Sequence, residues 1–97
     1  MSKVVDITDK ISFDENPKIK VKGETLEVNA DAETMLKIMG AFQNKGAMEA
    51  SLEAYGLLFS EKDREKINKM KPQFKDFMKI IEIAMDLAKG EEEPGEQ

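Results

Sequence analysis

The sequence predicts a mainly α-helical fold of about four helices packed with a small N-terminal β-hairpin and followed by a disordered acidic tail. Three observations predict it. Apolar residues recur at the spacing of one helix face over 73–89, alternating apolar residues flank a glycine over 18–29, and 91–97 combine four glutamates with no large apolar side chain. We expect a mobile N-terminal arm at 1–17, a single domain at 18–90 and a disordered tail beyond it.

Composition and charge limit the classes of function. A chain of 97 residues with 40% apolar and 36% charged residues can bury one modest core. The chain has no cysteine, which excludes disulfide bonds and a thiolate nucleophile, and its net charge of −5 argues against nucleic acid as the main partner. The start, MSKVVDITDK, lacks the apolar run of a signal peptide, and no segment has transmembrane length. We therefore expect a cytoplasmic protein that acts away from membranes.

Residues 18–29, KIKVKGETLEVN, predict the hairpin. Apolar residues alternate with lysines before Gly23 and with polar residues after it, so that one face is apolar and lysines can meet Glu27 across the strands. Because an isolated hairpin is marginal in water, it must lean on a helix or gain a third strand. The N-terminal arm and a second copy of the chain are both candidates for that strand, so a homo-oligomer is one expected state. The apolar face comprises Ile19, Val21, Leu26 and Val28.

The first predicted helix covers about 31–45. Asn29 or Asp31 supplies the N-cap, and the sequence Asn44-Lys45-Gly46 ends the helix. Gly40 lies inside it at a cost of roughly 1 kcal/mol relative to alanine, which predicts the close approach of another helix. Its apolar face is expected to comprise Met35, Leu36, Met39 and Phe42, with Ile38 beside them.

Two further helices are predicted at 47–58 and 61–70. Ser60 and Asp63 form a near capping box at the start of the second of these, which has few apolar residues and should lie mostly on the surface. Pro72 then breaks the chain before the last helix. The apolar face of the 47–58 helix is expected to comprise Met48, Leu52, Tyr55 and Phe59.

The last helix, 73–89, carries an apolar surface wider than the roughly 100° stripe of an ordinary surface helix. Such a helix needs cover on more than one side. It is either the central helix of a four-helix domain, or it shares part of its surface with a partner. The chain's seven methionines suit both an irregular core and an adaptable binding surface.

The sequence offers no catalytic, cofactor or metal site. Histidine and cysteine are absent, and Ser60 is better explained as a helix cap than as a nucleophile. Glu82 and Asp86 lie four residues apart, but two carboxylates alone make a poor cation site. The lysines between residues 66 and 79 are interleaved with acidic residues, which favours a mixed solvated surface over nucleic-acid binding.

The order of these parts resembles that of a known family. The hairpin IKVKGETLEVN leads into an acidic-capped helix, and the segment LFSEKDREKINKMKPQFKDFMKIIEIAMDLAKGEE closes in a helix, a glycine and an acidic tail. Within 58–90, Phe59-Ser60-Glu61 opens one helix and Phe74-Lys75-Asp76-Phe77 opens the last. In this pattern the chain resembles the small tail assembly chaperones of long-tailed phages and prophages of Gram-positive bacteria.

The resemblance implies a non-enzymatic protein of the host bacterial cytoplasm. It would bind the phage tape measure protein, keep its apolar helices in solution, recruit tail tube subunits and be absent from the mature virion. Two other interpretations stay open: a small prophage-encoded adaptor or regulator, and a structural tail connector whose hairpin edges pair between copies. The candidate partner-binding residues are Met35, Met39, Phe77, Ile80, Ile81, Ile83 and Leu87.

Overall fold

A computed structural model describes residues 3–12 and 14–90 of the chain, and the predicted acidic tail lies outside the described residues. A 3₁₀ turn in the arm at Thr8–Lys10 precedes the hairpin and four helices, and each helix begins and ends within one residue of its predicted bounds. The predicted mainly helical class with one small hairpin is confirmed. The elements in order are β1 (Lys18–Val21), β2 (Glu24–Glu27), α1 (Ala32–Asn44), α2 (Ala47–Leu58), α3 (Glu61–Met70) and α4 (Phe74–Ala88).

The two strands pair in the antiparallel register that the alternation predicts, with Ile19 opposite Leu26. The connecting turn consists of Lys22 and Gly23, whose φ angles are +50° and +82°. Positive φ at both central residues defines the type I′ turn, whose twist matches that of the flanking strands. Lys18 lies opposite Glu27, but the carboxylate of Glu27 accepts a hydrogen bond from the Asn16 side chain at 2.8 Å instead of pairing with the lysine.

Side-chain caps fix where α1 and α3 begin. The Asp31 carboxylate accepts a hydrogen bond from the Thr34 backbone N–H, and the Ser60 hydroxyl accepts one from the Asp63 N–H. Both bonds satisfy N–H groups that have no partner within the helix. At the other end of α3, Lys71 adopts a left-handed conformation (φ +51°), and Pro72 prevents the helix from continuing.

The hydrophobic core lies where β2, α2, α3 and α4 meet. α1 packs along α2, α2 along α4, and α3 against β2. Asn29 joins the end of β2 to the end of α2, since its backbone N–H donates to the Leu58 carbonyl at 2.8 Å and its side-chain amide donates to the Leu57 carbonyl at 2.9 Å. The largest fully buried side chains are Phe59, Leu26, Ile38, Leu58, Ile67, Ile81 and Val28.

The apolar faces predicted for α1 and α2 are only partly buried. The buried residues of α1 are Ile38 and Ala41, and those of α2 are Ala50, Ser51, Ala54 and Leu58. Small side chains let the two helices approach closely, which turns the longer side chains outward. Five large residues of the two predicted apolar faces are exposed, namely Leu36, Met39, Phe42, Met48 and Leu52.

Gly40 has a different role from the one predicted. A Cβ atom built on Gly40 would meet no atom within 4 Å among the described residues. A close contact with another described helix therefore does not explain why this position lacks a side chain. Gly40 instead lies on the outer side of α1, next to the exposed Leu36 and Met39.

The last residues of the arm attach it to the domain. The Pro17 carbonyl accepts a hydrogen bond from the Val28 N–H, and the Asn16 side chain accepts one from the Ala30 N–H. All described residues between 3 and 12 are exposed, including Val5 and Ile7. The described residues of the arm therefore add no strand to the hairpin of their own chain.

Candidate protein-binding surfaces

A groove between α1 and α4 is lined mainly by apolar side chains. Its volume is about 590 Å³. Leu36 and Met39 form its outer wall with 68% and 57% of their surfaces exposed, and Met85 of α4 forms the opposite side. We call it the α1–α4 groove. It is lined by Met35, Leu36, Ile38, Met39, Gly40, Phe42, Gln43, Met85 and Lys89.

The residue spacing of α1 explains why the groove is open. Ile38 and Ala41 face the core, so residues offset from them by two positions are rotated to the far side of the helix. Leu36, Met39 and Phe42 follow one another at intervals of three, so each is rotated by about 60° from the one before, from the far side of α1 back towards the core. Gly40 lies beside Leu36 at the outer edge of the groove.

Three methionine side chains line this groove. Met35, Met39 and Met85 converge there, three of the seven methionines of the chain. Methionine is unbranched and polarizable, so it repacks around partners of different shape. The only charged residue in the lining is Lys89, whose ammonium lies 3.8 Å from Asp86. The groove thus offers apolar contact with little fixed polar recognition.

A second groove lies on the other side of α4, between that helix and β1. Its volume is about 520 Å³. Ile19 and Val21 of β1 and Ile80 and Ile83 of α4 provide its apolar floor, whereas four lysines and Asp76 form its polar rim. We call it the β1 groove. Its remaining lining residues are Lys20, Lys22, Met70, Lys71, Pro72, Gln73 and Lys79.

The candidate partner-binding residues do not form one surface. Met35 and Met39 lie in the α1–α4 groove, whereas Ile80 and Ile83 lie in the β1 groove. Phe77 is half-buried, with its ring centroid 4.8 Å from that of Tyr55 in an edge-to-face contact. Leu87 lines a shallow depression beside Asn16 and Pro17.

Ile81 must be removed from the candidate surface. Only 1% of its surface is exposed, and it belongs to the central core together with Ala84. On α4 it projects between the two grooves, so a partner could reach it only if the fold opened. The sequence could not separate it from Ile80, because both belong to the same broad apolar run.

Sequence reasoning missed two residues of the α1–α4 groove. Leu36 and Phe42 belong to the apolar face predicted for α1 but not to the candidate partner-binding residues, although Leu36 is the most exposed large apolar residue of the four helices. No signal in the sequence separates them, because periodicity marks an apolar face without showing whether a neighbour covers it.

The pKa shifts of Tyr55 and Asp31 have local structural causes. Burial raises the pKa of the Tyr55 hydroxyl, and the nearby positive charge of Arg64 partly opposes this. Hydrogen bonds from the Thr34 side chain and backbone lower the pKa of Asp31. No group of three or more acidic residues among the described residues is placed to hold a metal ion, and none of the described helices is long and apolar enough to cross a membrane.

Comparisons with known proteins add no assignment. A scan of protein-family models, a search of curated proteins and a search of solved structures found no match to this chain.

Proposed function

We propose that this protein is a non-enzymatic chaperone that holds apolar helical segments of a client protein in the α1–α4 groove. The observation that carries the proposal is the outward apolar side of α1, where Leu36 and Met39 are more than half exposed on a helix that could have turned them inward. An exposed apolar surface of this kind is typical of a binding site for an amphipathic helix.

The energetics suit reversible binding. Fully burying a leucine, methionine or phenylalanine side chain contributes roughly 1.5–3 kcal/mol, and part of that gain offsets the entropy lost on association. Leu36, Met39 and Phe42 together would therefore support binding that is useful but released when the client assembles. The methionines allow successive client segments of different sequence to fit the same groove.

The resemblance to tail assembly chaperones names the client class. On this proposal the client is the tape measure protein of a long-tailed phage, whose apolar helices would otherwise aggregate before the tail tube forms around them. The chaperone would act in the bacterial cytoplasm, recruit tail tube subunits and leave before the virion matures. A net charge of −5 would help to keep an array of chaperone and client dispersed.

Co-expression with the tape measure protein encoded at the same locus tests the proposal. The groove variant Leu36→Gln with Met39→Gln removes apolar surface at positions that are more than half exposed, so its thermal unfolding should match that of the wild type. We expect its affinity for the client to fall by about ten- to a hundredfold, because two apolar contacts are lost. The soluble client fraction and co-purification of the two chains are measured.

The matched control is Met48→Gln with Leu52→Gln on α2. These residues are 61% and 59% exposed, but they do not line the groove. The control should keep the client soluble. A groove variant that retains full binding would refute the groove assignment, and a wild-type chain that never binds the tape measure protein would refute the proposed client.

A further inference from the structure

The hairpin has one covered edge and one open edge. In a two-residue hairpin the closing pair, here Val21 and Glu24, is hydrogen-bonded, and hydrogen-bonded pairs then alternate along the ladder. The bond from the Val28 N–H to the Pro17 carbonyl follows this alternation. The backbone groups of Lys18 and Lys20 on β1, and of Thr25 and Glu27 on β2, therefore point away from the partner strand.

Helix α3 covers the edge of β2. The Glu27 N–H donates to the Asp63 carboxylate at 2.9 Å, and the Thr25 carbonyl accepts from the Lys66 ammonium at 3.2 Å. On β1, the outward N–H groups of Lys18 and Lys20 donate to no group among the described residues. An open strand edge of this kind is a template for an added strand.

The side chains around the open edge determine which residue types an added strand should have. Side chains alternate along a strand, so every second residue of an added strand would face the apolar floor of the β1 groove, near Ile80 and Ile83. The other residues would lie beside the lysines of β1. The groove rim carries four lysines against one aspartate. The edge therefore fits an extended segment in which apolar and acidic residues alternate.

Residues 5–7 of the N-terminal arm have this pattern. Val5 and Ile7 are separated by Asp6, and the two apolar side chains are 63% and 48% exposed. Val4, which is 91% exposed, would fall on the lysine side, where the aliphatic stems of the lysines can cover it. No other described segment outside the helices and the hairpin exposes alternating apolar residues in this way.

We propose that residues 3–7 of a second copy of this chain add to the open edge of β1 as a third strand, with Val5 and Ile7 in the β1 groove and Asp6 beside the β1 lysines. The reciprocal exchange of two arms gives a closed twofold dimer. The proposal does not depend on the proposed function, because it uses the opposite side of α4.

Two observations favour the arm of a second copy over the two alternatives, which are the chain's own arm and the β1 strand of a second copy. The single chain leaves its own arm exposed from residue 3 to residue 12, although a contact within one molecule would carry no concentration penalty. Direct pairing of two β1 strands would place Lys18 and Lys20 against the same lysines of the other copy, which like-charge repulsion disfavours.

The test measures the mass of the full-length chain in solution by light scattering over a wide range of concentration. We expect a monomer–dimer equilibrium. Val5→Asp with Ile7→Asp should weaken dimerisation by at least about tenfold, since charges would enter an apolar groove in both copies. Lys20→Pro should weaken it similarly while the hairpin persists, because the N–H that it removes points outward from the edge strand.

The control is Ile11→Asp, an exposed arm position outside the proposed strand, which should dimerise as the wild type does. A wild-type chain that stays monomeric at every concentration would overturn the proposal. A dimer that persists unchanged in both test variants would also overturn it. Slow hydrogen exchange at residues 4–7 in a strictly monomeric protein would show instead that the arm docks onto its own chain.

The absence of cysteine allows a second test of the same contact. Two single-cysteine chains, Asp6→Cys and Lys20→Cys, are mixed and oxidised. A disulfide-linked heterodimer is expected well above the share that random pairing of equal amounts gives, about half of the linked product, because Asp6 of one copy would lie beside the β1 lysines of the other. Yields at the random ratio would contradict the proposed contact.

Discussion

At the scale of single residues, the hairpin turn contains a conformation that its residue type disfavours. Lys22 has φ +50°, in the left-handed region where a side chain with a Cβ is strained, and it is followed by Gly23 at φ +82°. The type I′ turn prefers asparagine followed by glycine at these two positions. The turn is therefore formed with only its second residue well suited to it.

We expect Lys22→Asn to increase the free energy of unfolding by about 0.5–1 kcal/mol, because asparagine tolerates the left-handed conformation better than lysine. Denaturation by urea measures the change. Lys62→Asn provides the control, since it makes the same exchange at an exposed position inside α3 and should be neutral or slightly destabilising. Equal effects at both positions would show that loss of positive charge, not turn geometry, is responsible.

The only tyrosine of the chain provides a spectroscopic report on packing. Tyr55 donates a hydrogen bond to the Arg64 carbonyl at 3.2 Å, and its ring contacts Phe77. Burial raises the pKa of its hydroxyl, with the charge of Arg64 acting in the opposite direction.

We expect the tyrosinate absorbance of the folded protein to appear at higher pH than that of the protein unfolded in urea. The folded state favours the neutral phenol, so this contribution to stability is complete below the unfolded pKa of about 10 and is lost as the pH rises through the folded pKa. The chain has one tyrosine and no tryptophan, so the signal belongs to Tyr55. Coincident titration curves would show that the hydroxyl is solvated.

At the scale of elements, Asp63 connects α3 to the hairpin. Its backbone N–H donates to the Ser60 hydroxyl, while its carboxylate accepts a hydrogen bond from the Glu27 N–H and lies 3.5 Å from the Lys66 ammonium. Asp63 is 8% exposed. Of the two hydrogen bonds of a capping box, the one from the Asp63 N–H to the Ser60 hydroxyl is present. The reciprocal bond does not form, because the Asp63 carboxylate accepts from the Glu27 N–H of β2 instead of from the Ser60 N–H.

We expect Asp63→Ala to lower the free energy of unfolding by about 1–3 kcal/mol, because a partly buried hydrogen bond from the Glu27 N–H to the charged Asp63 carboxylate would be lost. Asp63→Asn retains an acceptor oxygen and should cost less than Asp63→Ala. Thermal unfolding of the two variants measures the difference. An identical loss in both would indicate that the negative charge matters rather than the hydrogen bond to Glu27.

The helix boundaries could be predicted from the sequence, but the packing faces of α1 and α2 could not. Boundaries are set locally, by caps such as Asp31 and by breakers such as Pro72. The face that a helix buries depends on which neighbour it meets. Alanines at positions 41, 50 and 54 form the buried contacts, and periodicity alone gives them less weight than methionine or leucine.

At the scale of the whole molecule, α4 serves three surfaces at once. At 3.6 residues per turn, Ile80 and Met85 lie roughly 140° apart around the helix axis, and the buried Ile81 and Ala84 project between them. One side therefore forms the floor of the β1 groove and another forms a wall of the α1–α4 groove. This arrangement explains the unusually wide apolar surface of the helix without requiring that all of it bind one partner.

The placement of the two grooves on opposite sides of α4 predicts that their functions can be separated. Lys20→Pro should weaken self-association and leave client binding unchanged, because the α1–α4 groove contains no residue of β1. Leu36→Gln with Met39→Gln should weaken client binding and leave self-association unchanged. The two measurements, light scattering and client co-purification, are made on the same preparations. If either variant lost both properties while retaining the wild-type melting temperature, the client and the second copy would share one surface, and the assignment of separate grooves would fail.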